Sequence, residues 1–279
     1  MASIGRYNLL KILRETSSGY FLDGEETGDI LLPGRYAPHG LGAGEEIEVF
    51  VYFDSEDRII ATTEEPYCEV GDFALLEVIE VNEIGAFLNW GLQKDLLVPF
   101  REQKIKMEPG SWHVVHVYID EQTQRIAASA KVEKFLDKEP APYRAGDEVD
   151  LFIYGPCPLG FNAIVNSAHW GMLYGSEVFQ PLNRGEFITG YISKIREDGK
   201  IDLNLYPAGF KKAETSAELI IEYLKRNNGF MELTDKSPAE DIYETFGISK
   251  KNFKMALGSL YKERKIEILE TGVKLSKSL

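Results

Sequence analysis

Up to Pro207 the apolar positions of this chain alternate with polar ones in short runs broken by glycine. Beyond it they recur every three to four residues. Period two marks strands and the longer period marks helices. The stretch 71–130 shows the strand pattern most clearly. Gly71–Val81, Ile84–Trp90, Asp95–Pro99, Gly110–Asp120 and Arg125–Ala130 each read as a strand bounded by turn residues. Five strands in roughly sixty residues, with one longer link after the third, fit a five-stranded OB-type barrel.

The pattern occurs three times. Gly19, Leu32-Pro33 and Gly44 reappear 66 residues later as Gly85, Val98-Pro99 and Gly110, and 75 residues after that as Gly160, Leu173-Tyr174 and Gly185. One offset that aligns two glycines and an apolar pair implies three copies of one unit. In the first copy Gly44–Asp54 and Arg58–Thr62 are the fourth and fifth strands; in the third, Gly185–Ile192 and Lys200–Leu205 fill those places. The last hairpin differs slightly between copies, which favours three separate barrels over a stacked solenoid.

After Pro207, Ser216 is placed to cap a helix through Leu219–Leu224. Ser237-Pro238-Ala239-Glu240 reads as a capping box opening a helix that ends near Phe246-Gly247. Ser249 caps a third helix, Lys250–Lys265, with Phe253, Leu257, Leu260 and Tyr261 at helical spacing. Ile266–Glu270 and Thr271–Leu275 then read as a hairpin, completing a winged helix-turn-helix. The expected fold is mainly β with an α C-terminal domain: three tandem barrels at 1–67, 68–140 and 141–210, then a winged helix at 211–279.

Gly71–Leu88 resembles the opening of an S1-type RNA-binding domain, a strand followed by Ile-Gly-Ala-Phe-Leu and then a Leu-Val-Pro element. Three such units before a winged helix resemble the conserved virulence factor B family, with its YitL-type members. The resemblance covers essentially the whole chain and implies a regulatory, non-enzymatic protein that binds single-stranded RNA. Here Ile84 stands in place of the motif's first aromatic, and Pro99 in place of the histidine often found after the third strand.

Charge refines this picture. The chain carries −14 overall, of which −9 falls in residues 1–70, −3 in 71–145, −2 in 146–213 and none in 214–279. The acidic first copy repels phosphate and is read as structural or protein-binding, so a polyanion belongs toward the C-terminal half. Barrels of this kind hold bases on exposed aromatics, with lysine and arginine supplying a salt-dependent phosphate term. Phe87 matches the second aromatic of the motif, Trp90 either extends its platform or packs against a neighbouring domain, and Arg101, Lys104 and Lys106 follow closely. In the first copy Tyr20 and Phe21 are adjacent, so one of them points outward. In the third, Phe161, Trp170 and Tyr174 are the candidates, Asn162 falls where Phe87 sits, and Tyr174 occupies the histidine-like place. Lys250, Lys251 and Lys254 open the third helix, where a winged helix presents itself to a groove, although Glu240, Asp241 and Glu244 on the helix before oppose such contact.

No stretch approaches the length of a membrane span, and Met1–Leu13 shows no signal-peptide core. Cys68 and Cys157 stand alone, which fits a reduced, cytoplasmic setting. His113 and His116 lie on opposite faces of a strand, zinc spacing is missing, and Gly40–Gly44 lacks the lysine and helix of a phosphate loop. No catalytic constellation, metal site or cofactor is expected. Ribosome- or transcript-associated proteins are the protein partners such a role implies. Two other functions remain open: a protein scaffold docking through the acidic first barrel, and a DNA-binding regulator acting through the winged helix.

Overall fold

The computed structural model describes residues 1–178, 180–207, 212–269 and 271–276, with backbone alone for 212–215. It divides into two compact units, Met1–Leu136 and Asp137–Leu279. The first unit holds two barrels. Strands β1 (Arg6–Thr16), β2 (Gly19–Asp23), β3 (Asp29–Pro33), β4 (Glu46–Phe53) and β5 (Ile59–Thr62) close in the order β1-β2-β3-β5-β4. Strands β6 (Phe73–Val81), β7 (Gly85–Asn89), β8 (Leu96–Pro99), β9 (Trp112–Ile119) and β10 (Ile126–Ser129) repeat the arrangement, with β10 beside β8.

The second unit begins with β11 (Glu148–Cys157), β12 (Gly160–Val165), β13 (His169–Tyr174), β14 (Phe187–Ile195) and β15 (Ile201–Asn204), closed in the same order as the first barrel. The winged helix follows. It consists of α1 (Lys212–Arg226), β16 (Phe230–Met231), α2 (Ala239–Phe246), α3 (Lys250–Lys262), β17 (Ile266–Leu269) and β18 (Gly272–Leu275), with sheet order β16-β18-β17. Phe230–Met231 is a third wing strand that its two-residue length hid from sequence reading. Glu270, expected in the hairpin, lies outside the described residues.

The repeated residues recur because the backbone geometry recurs. Gly19 pairs with Pro33, Gly85 with Pro99 and Gly160 with Tyr174 across the β2-β3, β7-β8 and β12-β13 ladders. A Cβ at these glycines would lie 2.1, 2.3 and 2.1 Å from the carbonyl oxygens of Leu32, Val98 and Leu173, so only glycine fits. The second glycine of each copy donates its N–H to the long first strand: Gly44 to Ile12 O (2.7 Å), Gly110 to Val78 O (2.8 Å) and Gly185 to Ile153 O (2.8 Å). The first strand bulges just after those residues in all three barrels. A bulge sharpens twist and lets one strand serve both neighbours of a closed barrel.

Two expected caps are absent. Ser216 is buried within α1, which begins at Lys212. Pro238 rather than Ser237 is the cap of α2, and the Ser237 hydroxyl instead accepts from Thr234 N–H at 2.9 Å. Ser249 does cap α3, accepting from Asn252 N–H at 3.3 Å.

The first two barrels share a core. Phe50, Tyr52 and Ile60 of the first cluster with Leu76, Leu88, Trp90, Leu96 and others of the second. No helix among the described residues is long and apolar enough to cross a membrane.

Candidate nucleic-acid interface

Strand register decides which aromatics face outward, because paired residues in antiparallel strands share a face. Phe87 pairs with Leu97, and both are half-buried, while Ala86 and Leu88 point into the barrel. Phe21 pairs with Leu31 on the equivalent face of the first barrel, and Tyr20 pairs with fully buried Leu32. Of the two adjacent aromatics, Phe21 is therefore the outward one. The Arg14 guanidinium sits 4.4 Å from its ring centroid and pairs with Asp29 at 2.6 Å. The acidic first barrel thus carries an aromatic platform with a cation on it, which its net charge concealed.

In the third barrel the equivalent face carries Asn162, Met172 and Tyr174. Phe161 pairs with fully buried Leu173, so its ring lies on the core side of the sheet. It lines a groove of about 540 Å³ with Tyr223, Arg226 and Tyr243 of the winged helix and is removed from the stacking face. Trp170 and Tyr174 do share a face. Trp170 meets Tyr154 edge-on at 5.0 Å, and Arg196 lies 5.8 Å from the Tyr174 ring while hydrogen-bonding its hydroxyl.

Trp90 is not an extension of the Phe87 platform. It is 3% exposed, meets Phe50 and Tyr52 edge-on at 5.8 and 6.4 Å, and donates its Nε1–H to Lys94 O at 2.6 Å. It is a joint between barrels: its edge lines the groove beside Phe87, but at 3% exposure it offers a base no stacking surface.

Beside Phe87 the junction of the two barrels opens into a groove of about 610 Å³. Ile84, Phe87, Leu97, Pro99 and Phe100 supply an apolar wall; Ile84 and Phe100 are 58% and 49% exposed. Lys94, Arg101 and Arg125 supply charge. Sequence reasoning found Phe87 and Arg101 but missed Lys94 and Arg125, which the turns before β8 and β10 bring into the groove. Phe100 carried a visible signal, an aromatic directly after Pro99. Each cation already meets a carboxylate: Arg101 with Asp120 at 2.6 Å, Lys94 with Asp57 at 3.1 Å and Arg125 with Asp57 at 2.5 Å. Asp120 is held below the usual carboxylate range by the Thr123 and Gln122 N–H groups and by Arg101. Burial, then Glu80, raises Asp95 at the same groove. Lys104 is paired with Glu133.

On the winged helix, Lys251 and Lys254 are exposed on the first turns of α3, whereas Lys250 is half-buried with Nζ 3.4 Å from Lys236 O. Lys254 lies 3.7 Å from Asp235. Among the described residues there is no cluster of three or more metal-ligating side chains.

Comparison with known proteins agrees with this architecture. Residues 4–64 match an S1 domain family and residues 218–275 match the CvfB-like winged helix domain. YitL of Bacillus subtilis is 29% identical, over 94% of this chain and 90% of its own. Conserved virulence factor B of Staphylococcus aureus (strain USA300) is 25% identical, over 96% and 92%. A crystal structure of a multidomain protein with nucleic acid binding domains from Streptococcus pneumoniae TIGR4 aligns over 98% of both chains at 26% identity with a TM-score of 0.44. With an S1 domain match at one end, a CvfB-like winged helix match at the other and similarity along nearly its whole length, this chain is similar throughout to conserved virulence factor B and YitL.

Proposed function

We propose that this protein is a nucleic-acid-binding regulator of gene expression that takes single-stranded RNA on the outer faces of its barrels. The observation that carries the reading is Phe87, a half-exposed ring on the face used by OB-type barrels, at the mouth of a groove lined by Lys94, Arg101 and Arg125. A base stacks on Phe87 or Phe100 while the cations meet phosphates. Phe21 under Arg14 offers a second stacking position in the same unit, and Trp170 with Tyr174 a third in the other. The chemistry is binding without catalysis, and two free thiols fit a cytoplasmic setting.

Fluorescence anisotropy with a labelled mixed-sequence RNA oligonucleotide tests this. A lost stack costs about 1–3 kcal/mol, so Phe87→Ala weakens binding roughly 5- to 150-fold at fixed salt. Absence of binding at 50 mM salt, or binding indifferent to both Phe87→Ala and Phe100→Ala, refutes the reading. Duplex DNA binding abolished by Lys251→Glu with Lys254→Glu, without RNA binding, would instead place the activity on α3.

A further inference from the structure

Asp57 is placed unlike any other carboxylate at the groove. It sits in the turn between β4 and β5 of the first barrel, yet among the described residues its carboxylate meets only cations of the second: Lys94 at 3.1 Å and Arg125 at 2.5 Å. Asp120, the partner of Arg101, is built into its own turn, accepting from Gln122 N–H and Thr123 N–H, each at 3.0 Å. Asp57 has no such duty. Its turn is closed by Asp54, whose side chain accepts from the N–H groups of Glu56 and Arg58 and whose carbonyl accepts from Asp57 N–H at 3.1 Å. Nor is Asp57 needed to hold the barrels together. The shared core, the Trp90 joint and the Lys94 Nζ bond to Asp54 O at 2.6 Å do that. One carboxylate thus occupies two of the three cations in the groove without serving the fold.

We propose that Asp57 is a gate on this groove: it stands where an RNA phosphate would sit between Lys94 and Arg125, and the phosphate must displace it. The inference rests on the RNA-binding reading of the same groove. Asp57 makes binding conditional, because an incoming anion gains only the difference between its own attraction to the two cations and that of the carboxylate. Its role is to set affinity and salt sensitivity, not to contact bases.

Asp57→Asn is a conservative test. Asp57 has φ +61°, a left-handed conformation that asparagine adopts readily, so the turn survives the change. Wild type, Asp57→Asn, Phe87→Ala, Phe100→Ala and the double variant of the first two substitutions are titrated with the same single-stranded RNA from 50 to 300 mM salt. Releasing one or two cations for phosphate contact steepens the plot of log K against log salt by about 0.7 per contact. At the lowest salt, Asp57→Asn then binds roughly 3- to 10-fold tighter than wild type, and the advantage shrinks as salt rises. Unchanged or weaker binding by Asp57→Asn, with unchanged slope, overturns the gate; if Phe87→Ala still weakens binding, the RNA reading stands without it. If Phe87→Ala, Phe100→Ala and the double variant all bind like their parents, the groove is not the site and both readings fall. Thermal unfolding of Asp57→Asn within a few degrees of wild type confirms that the comparison is between folded proteins.

Discussion

Trp90→Ala and Trp90→Phe separate a structural tryptophan from a binding one. Truncating a buried tryptophan typically costs about 3–5 kcal/mol, and three contributions make that range apply here. The ring is 3% exposed, so nearly all its apolar area is at stake. Its edge contacts with Phe50 and Tyr52 each add about 0.5–1.5 kcal/mol beyond burial. Its N–H satisfies Lys94 O, an acceptor left without that donor at a cost of about 1–3 kcal/mol. A unit the size of Met1–Leu136 has roughly 7–20 kcal/mol to lose, so Trp90→Ala folds but is markedly weakened. Trp90→Phe keeps most of the packing and loses the hydrogen bond, for about 2 kcal/mol. Urea denaturation followed by circular dichroism and by the fluorescence of Trp112 in a Trp170→Phe background reads both values, and any transition of residues 137–279 stays in place. A double-mutant cycle with Phe50→Leu shows about 0.5–1.5 kcal/mol of coupling across the barrel boundary. If Trp90→Phe unfolds like wild type but binds RNA tenfold more weakly, Trp90 is a stacking platform after all and the assignment of its ring to the joint is wrong.

Gly160→Ala loses several kcal/mol, because its Cβ would lie 2.1 Å from Leu173 O at φ +149°. Gly44→Ala, at φ +94° with open space around it, loses only about 1–2 kcal/mol; equal losses in chemical denaturation would contradict the steric account. Burial between Phe73 and Phe135 pushes the His116 imidazole down to about 4. Its folded value lies below its unfolded one, so the native state binds the proton less readily, and stability falls as pH drops from about 6.5 toward 4. His116→Leu flattens that limb of a stability-versus-pH curve, and an unaltered limb excludes His116 as its source. Burial also raises the Cys68 thiol to about 12, so a thiol reagent at pH 8 labels native protein at Cys157 only, and both cysteines after unfolding.

The barrels were legible because their grammar is local. A glycine that must pair with residue 33, 99 or 174 leaves the same spacing wherever the barrel recurs. The faces were less legible. Phe161 follows Gly160 as Tyr20 follows Gly19, one position short of Phe87, and in a strand one position reverses the side. Trp90 reads equally as a neighbour of Phe87 on the platform and as a ring packed on another domain, because the tyrosine and phenylalanine that bury it lie about forty residues away, in another copy. Net charge misled in the same way. The −9 of residues 1–70 is a sum that hides Arg14 on Phe21. The Lys94, Arg125 and Asp57 set is assembled from three turns whose meeting no short motif records.

The common core of the first two barrels also bears on how this chain can be divided. A cut between residues 67 and 68, natural by repeat, would strip Phe50 and Tyr52 on one side and Trp90, Leu92 and Leu96 on the other. Each fragment would present a sticky aromatic surface to solvent and associate with its own kind. Heredity and folding draw different borders here: the unit that was copied is one barrel, whereas the N-terminal piece that keeps its core whole is the pair. For the same reason, exchanging the second copy for the third would require a new tryptophan joint along with the new barrel.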